Sequence, residues 1–462
     1  MYNVGMTRSA GSRFARAAIA GCVALPVCWW LAADTLGRYW SSPGDGSAIR
    51  FAHFGSYQDY ELWRDVIAEF MQDHPEIDVR QEYVVGLAGH YHLKLRQQIL
   101  SGTLPDVALI QLGPFHEMAE HFADLSDLLR PPREGEPPAE PPLSTTLDPV
   151  GMDAFRASGR QLGLPLCGGN LLIYGNETCF DRASRFRGTP IARPTADWTI
   201  EDFHRTAKLL TCDFDDDGTI DQFGFWHPRW IYYLPMLWSF GAELTDESMT
   251  RWTLLGPKAE QALTFYRDLL IHDRVCPRDE EVPQLFQDVG FLTSKVAMCV
   301  NGPWFQPFLD RTRLADSYFV AHIPMGSTGR VTRVTWDGIV TAPNLPDARR
   351  GAARQFIRYT LSKPVQDRIA RVGRALPARI EATGNFVGSP PDPRRQVFVD
   401  ALAYSRLQPL LPRFSQIDRV INKHLNAFVQ PDSELTAATM LERLAREPVI
   451  ISTFSTPELD SP

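Results

Sequence analysis

From Ile49 onward, short apolar runs alternate with amphipathic stretches. Ile49 to Phe54 reads as a strand. From about Gln58, the pairs Leu62/Trp63, Val66/Ile67 and Phe70/Met71 recur at four-residue spacing, which draws one apolar stripe along a helix. Pro75 ends that helix. Ile77 to Val85 is extended, a second helix covers about His92 to Ser101, and Pro105-Asp106 opens a strand over Val107 to Ile110. Alternation of strands and helices of this length predicts βαβ units and a largely parallel sheet. Further on, the pattern gives short strands over 162–166 and 171–174 and helices over 200–210, 258–272 and 348–362. Leu435, Met440, Leu441 and Leu444 mark a last amphipathic face. Residues 131–142, half of them proline, break the pattern as a stiff surface insert.

The N-terminus follows a different rule. Arg8, Arg13 and Arg16 precede an uncharged run from Ala17 to Ala33, about 25 Å long as a helix. Three readings compete for it. They are an uncleaved membrane anchor, a cleaved signal peptide, and a lipoprotein attached at Cys22. The first is favoured, because Leu31 spoils a small-residue cleavage pattern and Trp29 and Trp30 sit where indoles favour the membrane interface. All three export the rest of the chain to the periplasm or cell surface. Residues 34–47 then act as a polar linker.

With 462 residues the chain is long enough for two lobes. The 44% hydrophobic and 22% charged composition is that of a globular protein. The formal charge is −8, and residues 1–47 contribute four arginines against two aspartates, so the exported body is the acidic part. That argues against nucleic acid as a partner, since phosphate contacts need clustered cations. Cys167, Cys179, Cys212, Cys276 and Cys299 lie in the body at scattered spacings without a CxxC, which suits buried thiols with one or two disulfides at most.

Catalytic motifs fail one by one. His116 and His121 are five apart, about 140° around a helix, and cannot chelate one metal from it. There is no P-loop, GxSxG, HExxH or post-strand GxGxxG, so no enzyme activity is expected and no cofactor is required. Asp213, Asp215, Asp217 and Asp221, with Gly218 between, match a calcium loop except at its last position, where Gly224 replaces the bidentate Glu. A solvated acidic turn is the competing reading. Trp226, Trp230, Tyr232, Tyr233 and Trp238 crowd one stretch, while Trp304 and Trp336 follow in turn contexts. Indole faces suit sugar rings, and core packing is the alternative; the helical spacing around Trp238 favours core there.

Taken in order, Gly102-Thr103-Leu104-Pro105-Asp106-Val107, Gly163-Leu164-Pro165, Leu172-Ile173-Tyr174-Gly175-Asn176, Trp198-Thr199-Ile200-Glu201-Asp202-Phe203, Asn301-Gly302-Pro303-Trp304 and Ala375-Leu376-Pro377 resemble extracellular solute-binding proteins of bacterial ABC importers. The resemblance is to the carbohydrate-type family that includes maltodextrin-binding protein. It implies the α/β, two-lobed periplasmic-binding-protein fold (type II), with crossing strands and an interlobe ligand cleft. Lobe 1 would comprise 48–166 plus 327–385, and lobe 2 would comprise 167–326 plus 386–462. The crossovers would fall near 165–170, near 324–332 and within 380–394.

The resemblance also implies ligand contacts at Ser56, Tyr57, Gln111, Asn170, Trp230, Trp304, Trp336, Asp337 and Arg374. Trp336-Asp337 stands where the family often has Gly-Gly, and the expectation is bulk and charge in the cleft. The implied activity is capture of a mono- or oligosaccharide by a monomer that delivers it to ABC permease subunits. The alternatives are a non-sugar solute (polyol phosphate, polyamine or peptide) or a membrane-anchored sensor.

Overall fold

The computed structural model describes residues 48–85, 88–130, 142–226, 229–278, 287–411 and 413–454. The anchor, signal and lipoprotein readings of 17–33 and nearly all of the proline-rich insert lie outside the described residues. Among the described residues, no helix is long and apolar enough to cross a membrane.

Among the described residues, two main sheets carry the body. The first has seven strands: β1 (Ile49–Gly55), β2 (Val79–Val85), β3 (Val107–Gln111), β4 (Leu164–Asn170), β9 (Thr332–Thr341), β10 (Leu376–Pro377) and β11 (Ser405–Leu407). The second has four: β5 (Leu172–Asn176), β6 (Phe223–Trp226), β7 (Val296–Asn301) and β8 (Tyr318–Ala321). In the first sheet the order is β10-β4-β9-β3-β1-β2, and β11 pairs with the start of β9. Strands β2 and β3 flank β1 in parallel, as the βαβ pattern predicts. The sheet is nevertheless mixed. Strand β9 runs antiparallel to both β3 and β4 because it enters from the second lobe instead of following a helix of the first.

Each sheet has its own core. Phe51 meets Trp63 and Phe356 edge-on at 5.1 Å in one core, which Phe70, Phe115, Phe155 and Ile339 extend. Tyr174, Phe180, Phe203, Phe225, Trp252 and Tyr266 fill the other. Trp238 is buried there, as its helical spacing indicates. Full burial of such side chains stabilises by roughly 1.5–3 kcal/mol each. The chain passes from the first sheet to the second between β4 and β5, where only Leu171 separates the strands, and returns between β8 and β9. After β10 it goes back to the second core, which takes in Phe386, Phe398 and most apolar residues from Leu411 to Phe454, while β11 with Leu407 and Leu410 stays with the first.

The local reasons are legible. Helix α1 (Tyr57–Asp73) starts at a capping box in which Ser56 caps and Asp59 answers. Thr199 and Asp202 repeat the device at helix α2 (Ile200–Leu210). Cys167, Cys179, Cys212, Cys276 and Cys299 are all buried, and no disulfide joins these five thiols. They act as small apolar residues in the two cores.

Candidate functional site

Between the two sheets lies a cleft of about 980 Å³, in the upper range for small-molecule sites. Its floor is β9. A strand turns alternate side chains to opposite faces. Here Val334 and Trp336 are buried while Arg333, Thr335 and Asp337 line the cleft. The turn after β1 brings Ser56, Tyr57 and Asp59, the end of β3 brings Gln111, and the segment before β10 brings Arg374. From the second lobe come Trp304 and Phe308, and Phe414, Ser415 and Asp418 come from helix α3 (Phe414–Phe428).

The charged centre is Arg374. Its Nε donates to Asp59 Oδ1 at 2.6 Å, and a terminal nitrogen lies 3.7 Å from Asp337 Oδ2. Asp59 is shared, since its other oxygen accepts from the Ser56 amide at 2.6 Å and the Ser56 hydroxyl at 2.7 Å. Burial pushes the Asp337 carboxyl up to about 6. The Arg374 charge works against that rise, Asp59 adds to it, and a hydrogen bond from Gln111 opposes it. At the other end of the floor, the Tyr233 hydroxyl donates to Asp418 Oδ1 at 2.6 Å. Burial lowers the Arg333 guanidinium from its ordinary range, against the raising effects of Asp418 and Tyr233.

Six of the nine residues expected from sequence line this cleft: Ser56, Tyr57, Gln111, Trp304, Asp337 and Arg374. Ser56 does so as a helix cap, its hydroxyl already engaged by Asp59. Asn170 does not line it. It is fully buried, and its amide nitrogen donates to the Phe398 carbonyl and the Ser405 hydroxyl, which ties the first crossover to the C-terminal part. Trp336 does not line it either, contrary to the expectation of bulk in the cleft. The indole turns into the first core, and a Cβ at Gly168 would come within 2.7 Å of it. Of this pair Asp337 alone reaches the cleft, where it adds charge without bulk. Trp230 lies on a helix whose first side chains are outside the described residues.

Sequence reasoning missed Asp59, Arg333, Thr335, Gln408, Ser415 and Asp418. The signal for Arg333 and Thr335 was present: period-2 alternation back from Asp337. Asp59 was marked by the Ser-x-x-Asp box. Gln408 carried no local signal.

The acidic loop is separate from the cleft. Asp213, Asp215 and Asp221 place carboxylate oxygens within 4.8 Å of one another. Asp213 accepts from the Asp216 and Gly218 amides, Asp221 from Phe214 and Asp217 from Thr219, so internal hydrogen bonds hold the turn. Gly224, at the twelfth position, lies in β6, where a Cβ would fall 1.9 Å from the Ala207 carbonyl oxygen. No side chain, and so no carboxylate, fits at that position.

The fold recurs in solved structures. The ABC substrate-binding protein Lmo0181 from Listeria monocytogenes, in complex with cycloalternan, superposes with a TM-score of 0.76 at 22% identity, over 89% of this chain and 100% of that one. Maltose-bound MalE3 from T. maritima gives 0.71 at 19%, over 86% and 98%. UgpB from Mycobacterium tuberculosis, in complex with glycerophosphocholine, gives 0.71 at 18%, over 88% and 98%. At these identities the likeness is one of fold. No curated protein matches the chain. The sequence profile of the bacterial extracellular solute-binding proteins matches residues 55–367. That match runs from Gly55 at the lip of the cleft to Asp367 in the helix leading to Arg374, well over half the chain, and the chain belongs to that family.

Proposed function

We propose that this protein captures a saccharide in its interlobe cleft and delivers it to the permease of an ABC importer, without chemical turnover. The observation that carries the reading is the composition of the cleft wall. The Trp304, Tyr57, Phe308 and Phe414 rings offer apolar faces, while Gln111, Gln408, Thr335 and Ser415 offer hydrogen bonds between them. Sugars present that combination of C–H faces and hydroxyls. Lmo0181 with cycloalternan and MalE3 with maltose support the assignment on the same fold. Membership of an extracellular family supports export, and residues 17–33 are proposed as a retained tether.

A thermal-shift screen of the purified protein against neutral mono- and oligosaccharides, glycerophosphodiesters, polyamines and peptides tests the assignment. A saccharide should raise the melting temperature and be recovered unchanged. A response confined to one of the other classes would refute it. N-terminal sequencing of the protein recovered from the exporting cell tests the tether. A mature terminus beyond residue 33 in the soluble fraction would remove it.

A further inference from the structure

Among the described residues three arginines line the cleft, and they are in different situations. Arg374 is paired with Asp59 and lies beside Asp337. Arg311 is at the exposed rim. Arg333 stands on the floor, half-buried, and no hydrogen bond or ion pair engages its guanidinium among the described residues. The carboxylate nearest in effect is Asp418, which raises the affinity of Arg333 for its proton but lies beyond ion-pair distance and already accepts the Tyr233 hydroxyl at 2.6 Å. Burial opposes the Arg333 charge. Five N–H donors in a planar fork thus stand at the cleft wall, half-buried and unengaged by the described side chains around them. A partly desolvated cation of this kind is costly unless a counter-charge meets it.

The two ends of the floor differ accordingly. At Asp337 and Asp59 two carboxylates share one arginine, which suits neutral hydroxyl donors and repels an anion. Four residues back along β9, about 13 Å away at 3.3 Å per residue, Arg333 offers the fork that binds carboxylate or phosphate in bidentate fashion. A ligand of disaccharide length reaches both ends.

We infer that the solute is an acidic saccharide, with a carboxylate or phosphate group seated on Arg333 and neutral hydroxyls facing Asp337 and Gln111. This rests on the saccharide reading above and narrows it. Arg333 is then the residue that sets specificity for charge.

The test is titration calorimetry of the purified protein with matched sets: each of several neutral disaccharides, its aldobionic acid and its sugar phosphate. In at least one set an acidic member should bind tenfold or more tightly than the neutral one, as expected for a charge-assisted bidentate contact. The aldobionic and phosphate arms tell which anion is used. In Arg333→Gln the ratio of the two affinities should fall to near one. Arg333→Lys, which keeps charge without the fork, should retain part of it and covers the case in which the Gln variant does not fold. Neutral members that bind as tightly as their acids in every set, or a ratio unchanged in both variants, overturn the inference and leave the saccharide reading standing. If no saccharide of any charge binds while a peptide or polyamine does, the saccharide reading itself falls, and this inference with it.

Discussion

Asp337 sits where a carboxylate is costly. Its carboxyl is pushed up to about 6 by burial, against an ordinary value near 3.9 in an unfolded chain. Between those values the folded protein holds the proton more tightly, so stability is greatest at the acid end and falls as pH rises from about 4 to 6. Above that window the contribution is flat, at most about 2–3 kcal/mol below its acid value. Asp337→Asn removes this slope. Melting curves from pH 4 to 7 should show the parent losing stability relative to the variant across that interval. Parallel profiles would mean that Asp337 is not the group responsible. A second contrast at this scale separates two tryptophans. Trp336→Ala should cost about 3–5 kcal/mol of stability, as for any large buried ring, with ligand affinity little changed in the folded fraction. Trp304→Ala, at the cleft wall, should lower affinity tenfold or more with a smaller stability loss. Calorimetry on both variants decides it, and equal affinity losses would contradict the placement of the two rings.

Helix α1 shows how an element can serve fold and site together. Its N-terminal box uses Asp59 to close the helix and to hold Arg374. Ser56→Ala removes the cap and the hydroxyl's hydrogen bond to Asp59, leaves the Asp59–Arg374 pair in place, and should cost about 1 kcal/mol. Asp59→Ala also strips Arg374 of its closest carboxylate, leaving the partly raised Asp337 as its counter-charge, and should cost more, on the order of 3 kcal/mol. Chemical denaturation checks the order, and a cost for Asp59→Ala no larger than for Ser56→Ala would mean that the Arg374 pair contributes nothing. Much of this was readable before the fold was known. The α1 stripe, the β1–β2 and β1–β3 parallel pairs and Trp238 in the core follow from spacing alone. What spacing could not give is where long-range partners meet. Asn170 reads as a crossover contact until Phe398 and Ser405, more than 220 residues away, fold against it. Trp336 reads as cleft bulk until Gly168 on the facing strand provides its space. On β9, in contrast, strict alternation from Asp337 would have placed Trp336 in the core and Arg333 in the cleft.

At the scale of the molecule, two separately packed cores are joined where β4 runs into β5, where β8 returns to β9, and along the stretch after β10. The cleft takes Asp59, Gln111, Asp337 and Arg374 from the first lobe and Trp304, Phe308, Ser415 and Asp418 from the second. A ligand touching both sets gains contacts only if the lobes hold it together, so its binding energy is spent partly on fixing their relation. Two measurements should therefore move together. At about 100 times its dissociation constant, a ligand that ignores the unfolded chain adds about 2.7 kcal/mol of stability, seen as a raised melting temperature. The same saturating ligand should lower the radius of gyration in small-angle X-ray scattering, as the lobes close on it. The pairing is informative because each measurement can fail alone. A melting shift without compaction would place the ligand on one lobe, or would mean that the free protein is already closed. Comparing Trp304→Ala with the parent then separates these cases. If the ligand sits on the first lobe alone, loss of this second-lobe ring leaves the melting shift intact. If the protein is closed from the start, the shift shrinks with the ring while the scattering stays the same.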